Sequence, residues 1–206
     1  MLDFLLNRLR RSDRERYAET IGSQSDCASL YAGIIAASAA YVPVCSGREV
    51  RVHRNLDFGA AQREVMSSLG RPDHAVYALN PLTEAILVYR CRLEACRIRE
   101  ELHFSRHGLF YVNRTLSSML PRQDELILRI LSDKYLDGQP FDGIDTKIVD
   151  SRGREIVTTS GPPFVVEYLA ALDPILSRLR ADAVIDSSQP PGLDRNQRAS
   201  AISSLL

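Results

Sequence analysis

The chain has 206 residues, 45% of them apolar and 25% charged, a size and balance that allow one continuous core without metal or disulfide staples. Its 26 basic and 26 acidic residues cancel, which excludes the overall positive field expected of a nucleic-acid-binding protein. Cys27, Cys45, Cys91 and Cys96 are too sparse for a disulfide scaffold and predict free, buried thiols in a reducing, cytoplasmic setting.

Residues 1–48 read as a helical extension. Leu2, Leu5, Leu6 and Leu9 share one face of a helix over Met1 to Ile21. No secretory signal is expected there, because the apolar part precedes the arginines and Asp3 interrupts it. After a break at Gly22 to Asp26, a second helix is predicted from Cys27 to Ala40, capped by Ser25 or Asp26. Cys27 to Cys45 is free of charge over 19 positions, close to the length of a bilayer span. Its many Ala and Ser residues, with Gly33 and Pro43, favour a buried core helix over a membrane segment.

Residues 49–183 alternate between helix and strand signals. Val50 and Val52 alternate with Arg51 and His53, which predicts a short strand over Glu49 to Arg54. A helix follows from Gly59 to Leu69, capped by Asp57 and stopped by Gly70 and Pro72. Strands are expected at Val76 to Leu79, Ala85 to Leu93, Ile98 to Ser105 and Leu109 to Arg114. Leu126, Ile127, Ile130 and Leu131 give an apolar face to a helix over Gln123 to Tyr135. A hairpin is expected from Thr146 to Val149 and Glu155 to Thr158, then a strand over Phe164 to Leu169. Asp173-Pro174 opens a helix to about Ala183. Residues 184–206, with Pro190-Pro191-Gly192, read as a flexible tail. The order predicts an α+β fold: an antiparallel sheet with helices packed on one face, made of two helix-plus-strand units and preceded by two N-terminal helices.

Strand alternation sorts the central side chains. Leu87, Tyr89, Cys91, Leu93, Leu102 and Phe104 point inward, and Arg90, Arg92, Arg99, Glu101 and His103 point outward. Those five outward residues are the candidate binding surface, and its expected partner is a protein. Arg90, Arg92, Arg97 and Arg99 form a basic strip, but Glu94, Glu100 and Glu101 dilute it and no stacking aromatics stand beside it, so nucleic acid is not expected. Cys91, Cys96 and His103 fall on opposite faces, so no metal is expected. The chain has no Gly-x-Ser-x-Gly elbow and no glycine-rich phosphate loop, and no cofactor is expected.

Between Leu56 and Asn113 the chain carries Phe58-Gly59, Glu64-Val65, Leu69-Gly70-Arg71-Pro72, an aromatic strand at Tyr89, and Leu102-His103-Phe104 leading into Gly108-Leu109. With these marks it resembles the small domain of the SmpA/OmlA family, which is related in fold to the β-lactamase inhibitor protein. The resemblance covers residues 56–113 alone. It implies a helix laid on an antiparallel sheet and a binding or scaffolding role without catalytic residues. The reading is a non-enzymatic protein-binding or scaffold protein. The alternatives are an enzyme with Glu101, His103 and His107 near its active cleft, and a membrane-attached protein held by residues 27–45.

Overall fold

The computed structural model describes residues 24–187, apart from 78–81, 94 and 171. The first predicted helix and residues 188–206 of the predicted tail lie outside the described residues, while 184–187, expected as tail, continue the last helix. The elements in order are α1 (Gln24–Ala40), β1 (Val42–Cys45), α2 (Gln62–Leu69), β2 (His74–Tyr77), β3 (Ala85–Leu93), β4 (Cys96–Ser105), β5 (Gly108–Ser117), α3 (Gln123–Tyr135), β6 (Thr146–Val149), β7 (Arg154–Thr159), β8 (Phe164–Ala170) and α4 (Pro174–Ser187). The eight strands form one sheet in the order β1-β6-β7-β8-β5-β4-β3-β2. Neighbours are antiparallel except β1, which runs parallel to β6. The α+β class holds.

β1 lies where the sequence predicts only the end of a helix. Val42 N–H donates to Asp145 O at 2.8 Å and Ser46 N–H to Val149 O at 2.7 Å. Alternate residues therefore bond β6, and the positions of Pro43 and Cys45 face away from the sheet. Proline suits that outward position because no N–H is needed there. The boundary expected at residue 48 thus falls after a strand that belongs to the common sheet.

The strand expected over residues 49–54 does not form, beyond an isolated bridge between His53 and Leu56. Val50 and Val52 are nevertheless buried, as their alternation requires. Side chains of the β6–β7 corner satisfy the backbone instead: Val50 N–H donates to Asp150 Oδ2 at 2.8 Å, and Arg154 Nη1 donates to Val50 O at 3.0 Å. α2 begins at Gln62 and not at Gly59, because Ala61 N–H is taken by the Glu64 carboxylate at 2.8 Å. The expected cap, Asp57, instead accepts from its neighbour Phe58 N–H and from Arg154. Gly70 ends the helix as expected, with φ of 82° and its N–H on Met66 O.

Helices cover both faces of the sheet, which corrects the expectation of one covered face. On the first face, Val65 of α2, Leu131 and Tyr135 of α3, and Val50 to Leu56 pack on Leu87, Leu102, Phe104, Val112, Ile156 and Tyr168. On the second face, Tyr31 and Ile35 of α1 and Leu176 of α4 pack on Tyr111, Val157 and Leu169. α1 and α4 also touch each other. The cause is in the strands: β5, β7 and β8 carry large apolar side chains at both parities, so neither face can be left to water. A register shift after His103 leaves Phe110 without a cross-strand partner. Phe110 then meets Tyr31 edge to face at 5.2 Å.

Among the described residues no helix is long and apolar enough to cross a membrane. Cys45, Cys91 and Cys96 are free thiols, but only Cys96 is buried. Cys91 is exposed because β2 pairs with β3 only as far as Val88, so β3 runs on past its neighbour.

The two glycines that open and close the patterned stretch meet in space. Gly59 N–H donates to Leu109 O at 2.8 Å and Leu109 N–H to Ala60 O at 3.0 Å. A Cβ on Gly108, where φ is +102°, would lie 2.2 Å from Gly59 O. Gly108→Ala is therefore expected to cost about 3 kcal/mol in urea unfolding, through strain and collision together. Gly47→Ala is the control: nothing lies within 4 Å of its added Cβ, and stability should stay within about 0.5 kcal/mol.

Candidate functional site

Register arranges the second face in rows across the sheet. The innermost row is Ile86, His103, Tyr111, Leu169 and Glu155. The next is Val88, Glu101, Asn113, Glu167 and Val157, followed by Arg90, Arg99, Thr115, Val165 and Thr159. The outermost holds Arg92, Arg97 and Ser117. Cover decreases along this series. His103 is 1% exposed, the Glu101 side chain 13% and the Arg99 side chain 39%. Arg90, Arg92 and Arg97 are exposed.

α1 seals the innermost row. Tyr31 Oη lies 2.7 Å from His103 Nδ1 and 2.9 Å from Thr83 Oγ1. The Tyr31 ring meets His103 and Tyr111 edge to face. His103 Nε2 has no hydrogen-bond partner among the described residues, and Glu101 Oε2 stands 3.6 Å from it. Tyr111 donates to Glu167 Oε1 at 2.6 Å and receives Asn113 Nδ2 at 3.2 Å. Burial, then the Glu167 charge and hydrogen bond, push the Tyr111 phenol well above its usual range. Burial likewise raises Glu167, although the bonds from Tyr111 and Asn113 oppose it.

Two turns further along α1 a second polar group closes the row. Ser38 donates to Glu155, whose other carboxylate oxygen accepts from Lys147 at 3.1 Å and from Arg180 of α4 at 2.9 Å. Lys147 also donates to Ser38 Oγ at 3.0 Å. Lys147, Glu155 and Ser38 are buried. Tyr31, Ile35 and Ser38 fall at helical spacing, so this one stripe docks α1 on the sheet.

The first face has its own ion pair. Glu100 and Arg114 are cross-strand partners and bond each other, and His53 Nε2 lies 2.9 Å from the Glu100 carboxylate. Burial alone raises the Glu100 carboxyl, but the His53 hydrogen bond and the Arg114 charge outweigh it and lower it. Glu100 shares the parity of Leu102 and Phe104, and Arg114 that of Val112 and Leu116, a signal legible in the alternation.

The five candidate residues therefore separate along the face. Arg90, Arg92 and Arg99 stand with Arg97 on the open end of the face, His103 lies beneath α1, and Glu101 stands between them, in reach of Arg99 and His103. His107 sits apart from His103, exposed in the β4–β5 turn with Arg106 Nε donating to its Nε2. A surface cavity of about 600 Å³ opens between Asn55, Asp57 and the Glu64, Ser67 and Ser68 edge of α2; Gly59 in its wall adjoins the backbone of the His107 turn, and none of the five candidate residues lines it. Its two acids are engaged by Arg154 and by Ala61 N–H. No cluster able to hold a metal occurs among the described residues. Tyr31, Ser38, Lys147 and Glu155 carry no sequence signal as a group, since they meet only when α1 lies on the sheet. Compared with known proteins, the chain matches no family model, no curated protein and no solved structure.

Two measurements test the polar docking of α1. Glu155→Met leaves Lys147 buried beside a methionine and should cost about 3–5 kcal/mol in chemical unfolding. Adding Lys147→Met should restore most of that loss. Glu167 and Glu100 predict opposite pH effects. The raised Glu167 carboxyl stabilises the fold below its unfolded-state value, and that contribution is lost as pH rises through its folded value. The lowered Glu100 contributes above its unfolded-state value and loses that contribution as pH falls through its folded value. Against the parent chain, Glu167→Gln should therefore gain stability on going from pH 4 to pH 7, and Glu100→Gln should lose it.

Proposed function

We propose that the chain is a non-enzymatic protein-binding module that engages its partner through the open end of the second sheet face. One observation carries this reading: the register sets Arg90 opposite Arg99 and Arg92 opposite Arg97, four guanidinium groups on one face of a single hairpin. Like charges directly opposite one another in a sheet are unfavourable. A partner of the opposite sign meets all four guanidinium groups on one surface.

The alternative of an enzyme around Glu101, His103 and His107 draws less support. Glu101 and His103 offer little surface to a substrate, and His107 stands in a separate turn. Their contacts fit an internal network that positions α1. The resemblance of residues 56–113 to SmpA/OmlA domains points the same way, toward binding without chemistry. The exposed thiols of Cys45 and Cys91 fit a reducing, cytoplasmic location.

The test places a photo-cross-linking amino acid at position 97 in the full chain, expressed in its own cells. A discrete protein cross-link at 97 is expected. A second variant carries it at Ser67 and should give none. With the cross-linker at Thr115, next to the block, Arg92→Glu/Arg97→Glu should abolish the adduct without changing thermal unfolding. An adduct at Ser67 only, or one that survives the double reversal, would sink the reading.

A further inference from the structure

We infer that the segment bound at this face is an extended acidic strand with carboxylates at alternate positions. This rests on the binding-module reading and names its ligand chemistry. Same-side residues of a strand repeat at about 6.8 Å, and directly opposed residues of a pair stand about 5 Å apart. Arg90 and Arg92 on β3, and Arg99 and Arg97 on β4, thus form two parallel rows of two. An extended peptide has the same repeat. With an acid at every second residue, successive carboxylates reach successive arginines of a row. A helical segment offers acids three or four residues apart, at about 5–6 Å; that spacing meets one opposed pair but not the repeat along a row, so it engages one pair of arginines at a time.

Each guanidinium carries five donors, so an arginine already held on one edge keeps donors for an incoming carboxylate. Arg99 illustrates this, since it is paired with Glu101 and still 39% exposed on its side chain. Glu101 also fixes where the ligand stops. It continues the Arg97–Arg99 row inward, and a carboxylate arriving there would meet a like charge. The ligand therefore runs outward, toward Arg92 and Arg97. Thr115 and Ser117 pair with Arg99 and Arg97 on β5 and set hydroxyls beside the rows. Nucleic acid is the poorer match: the flanking positions Thr115, Ser117, Val165 and Thr159 supply no aromatic ring for base stacking.

The experiment is fluorescence anisotropy on the full chain with three labelled probes of equal charge. They are a Glu/Thr peptide with strict alternation, its isomer with the glutamates contiguous, and an oligothymidylate. The alternating peptide should bind at least about fivefold more tightly than its isomer, a difference near 1 kcal/mol. Arg92→Glu/Arg97→Glu should weaken it by about tenfold or more, with unchanged unfolding. Raising salt from about 0.05 to about 0.2 M should also weaken it. Equal binding of the two peptides overturns the alternation, and tighter binding of the oligothymidylate overturns the partner class. Either result beside a position-97 protein cross-link leaves the module reading standing and removes this inference alone. Absence of any cross-link at 97 removes both.

Discussion

A glutamate, a lysine and a serine sealed from water on the second sheet face are the constraint on which the rest of the fold depends. Ionic groups removed from water are tolerated only when paired and hydrogen-bonded, and even then they add little net stability. What Lys147 and Glu155 provide is position. Their donors and acceptors are satisfied only if Ser38 of α1 and Arg180 of α4 arrive at one place. Apolar contacts from Tyr31 and Ile35 supply adhesion, but an Ala-rich helix slides easily on a smooth surface. The polar group fixes its register. The Tyr31–His103–Thr83 cluster, two turns away, fixes its other end.

Once α1 is placed, the second face becomes a gradient. Aromatic and buried polar residues lie under the helix, and neutral hydroxyls and arginines lie beyond it. β4 alone passes from His103, almost fully buried, through Glu101 and Arg99 to the exposed Arg97 in seven residues. One strand thus serves as core wall and as ligand surface. The separation matters for chemistry as well, because on this face His103, Tyr111 and Glu155 are held inside while the charged groups presented to solvent are arginines.

Much of this layout is legible in the sequence, and the failures have physical causes. β3, α3 and β6 appear at the bounds expected from their periodicity, because hydrophobic alternation and a matched stop signal agree there. Gly70 ends its helix as its type and position predict. β1 is hidden because four residues interrupted by a proline carry no period, and a parallel edge partner lies about 100 residues away in the chain. The strand expected at residues 49–54 is absent for the opposite reason: its alternation is real, but side chains take its backbone bonds. The outward parity of Arg90, Arg92, Arg99, Glu101 and His103 is correct. Parity alone does not say whether outward means solvent or a second layer, and for His103 it means the layer. Tyr111, Val157 and Leu169, large apolar residues at outward positions of neighbouring strands, are the available warning.

Pro43 has a consequence for how copies of the chain can meet. Among the described residues the sheet has two ends, β1 and β2, and unlimited edge-to-edge growth needs both of them to pair with other copies. At the outward positions of β1 an approaching strand finds Pro43, which has no amide hydrogen, and a single donor at Cys45. With that end blunted, a growing filament has a weak link at every β1. The remaining edge pairing joins β2 to β2 about a two-fold axis, which uses up both edges at once. One imino acid therefore makes β1 the poorer of the two edges for pairing with another copy.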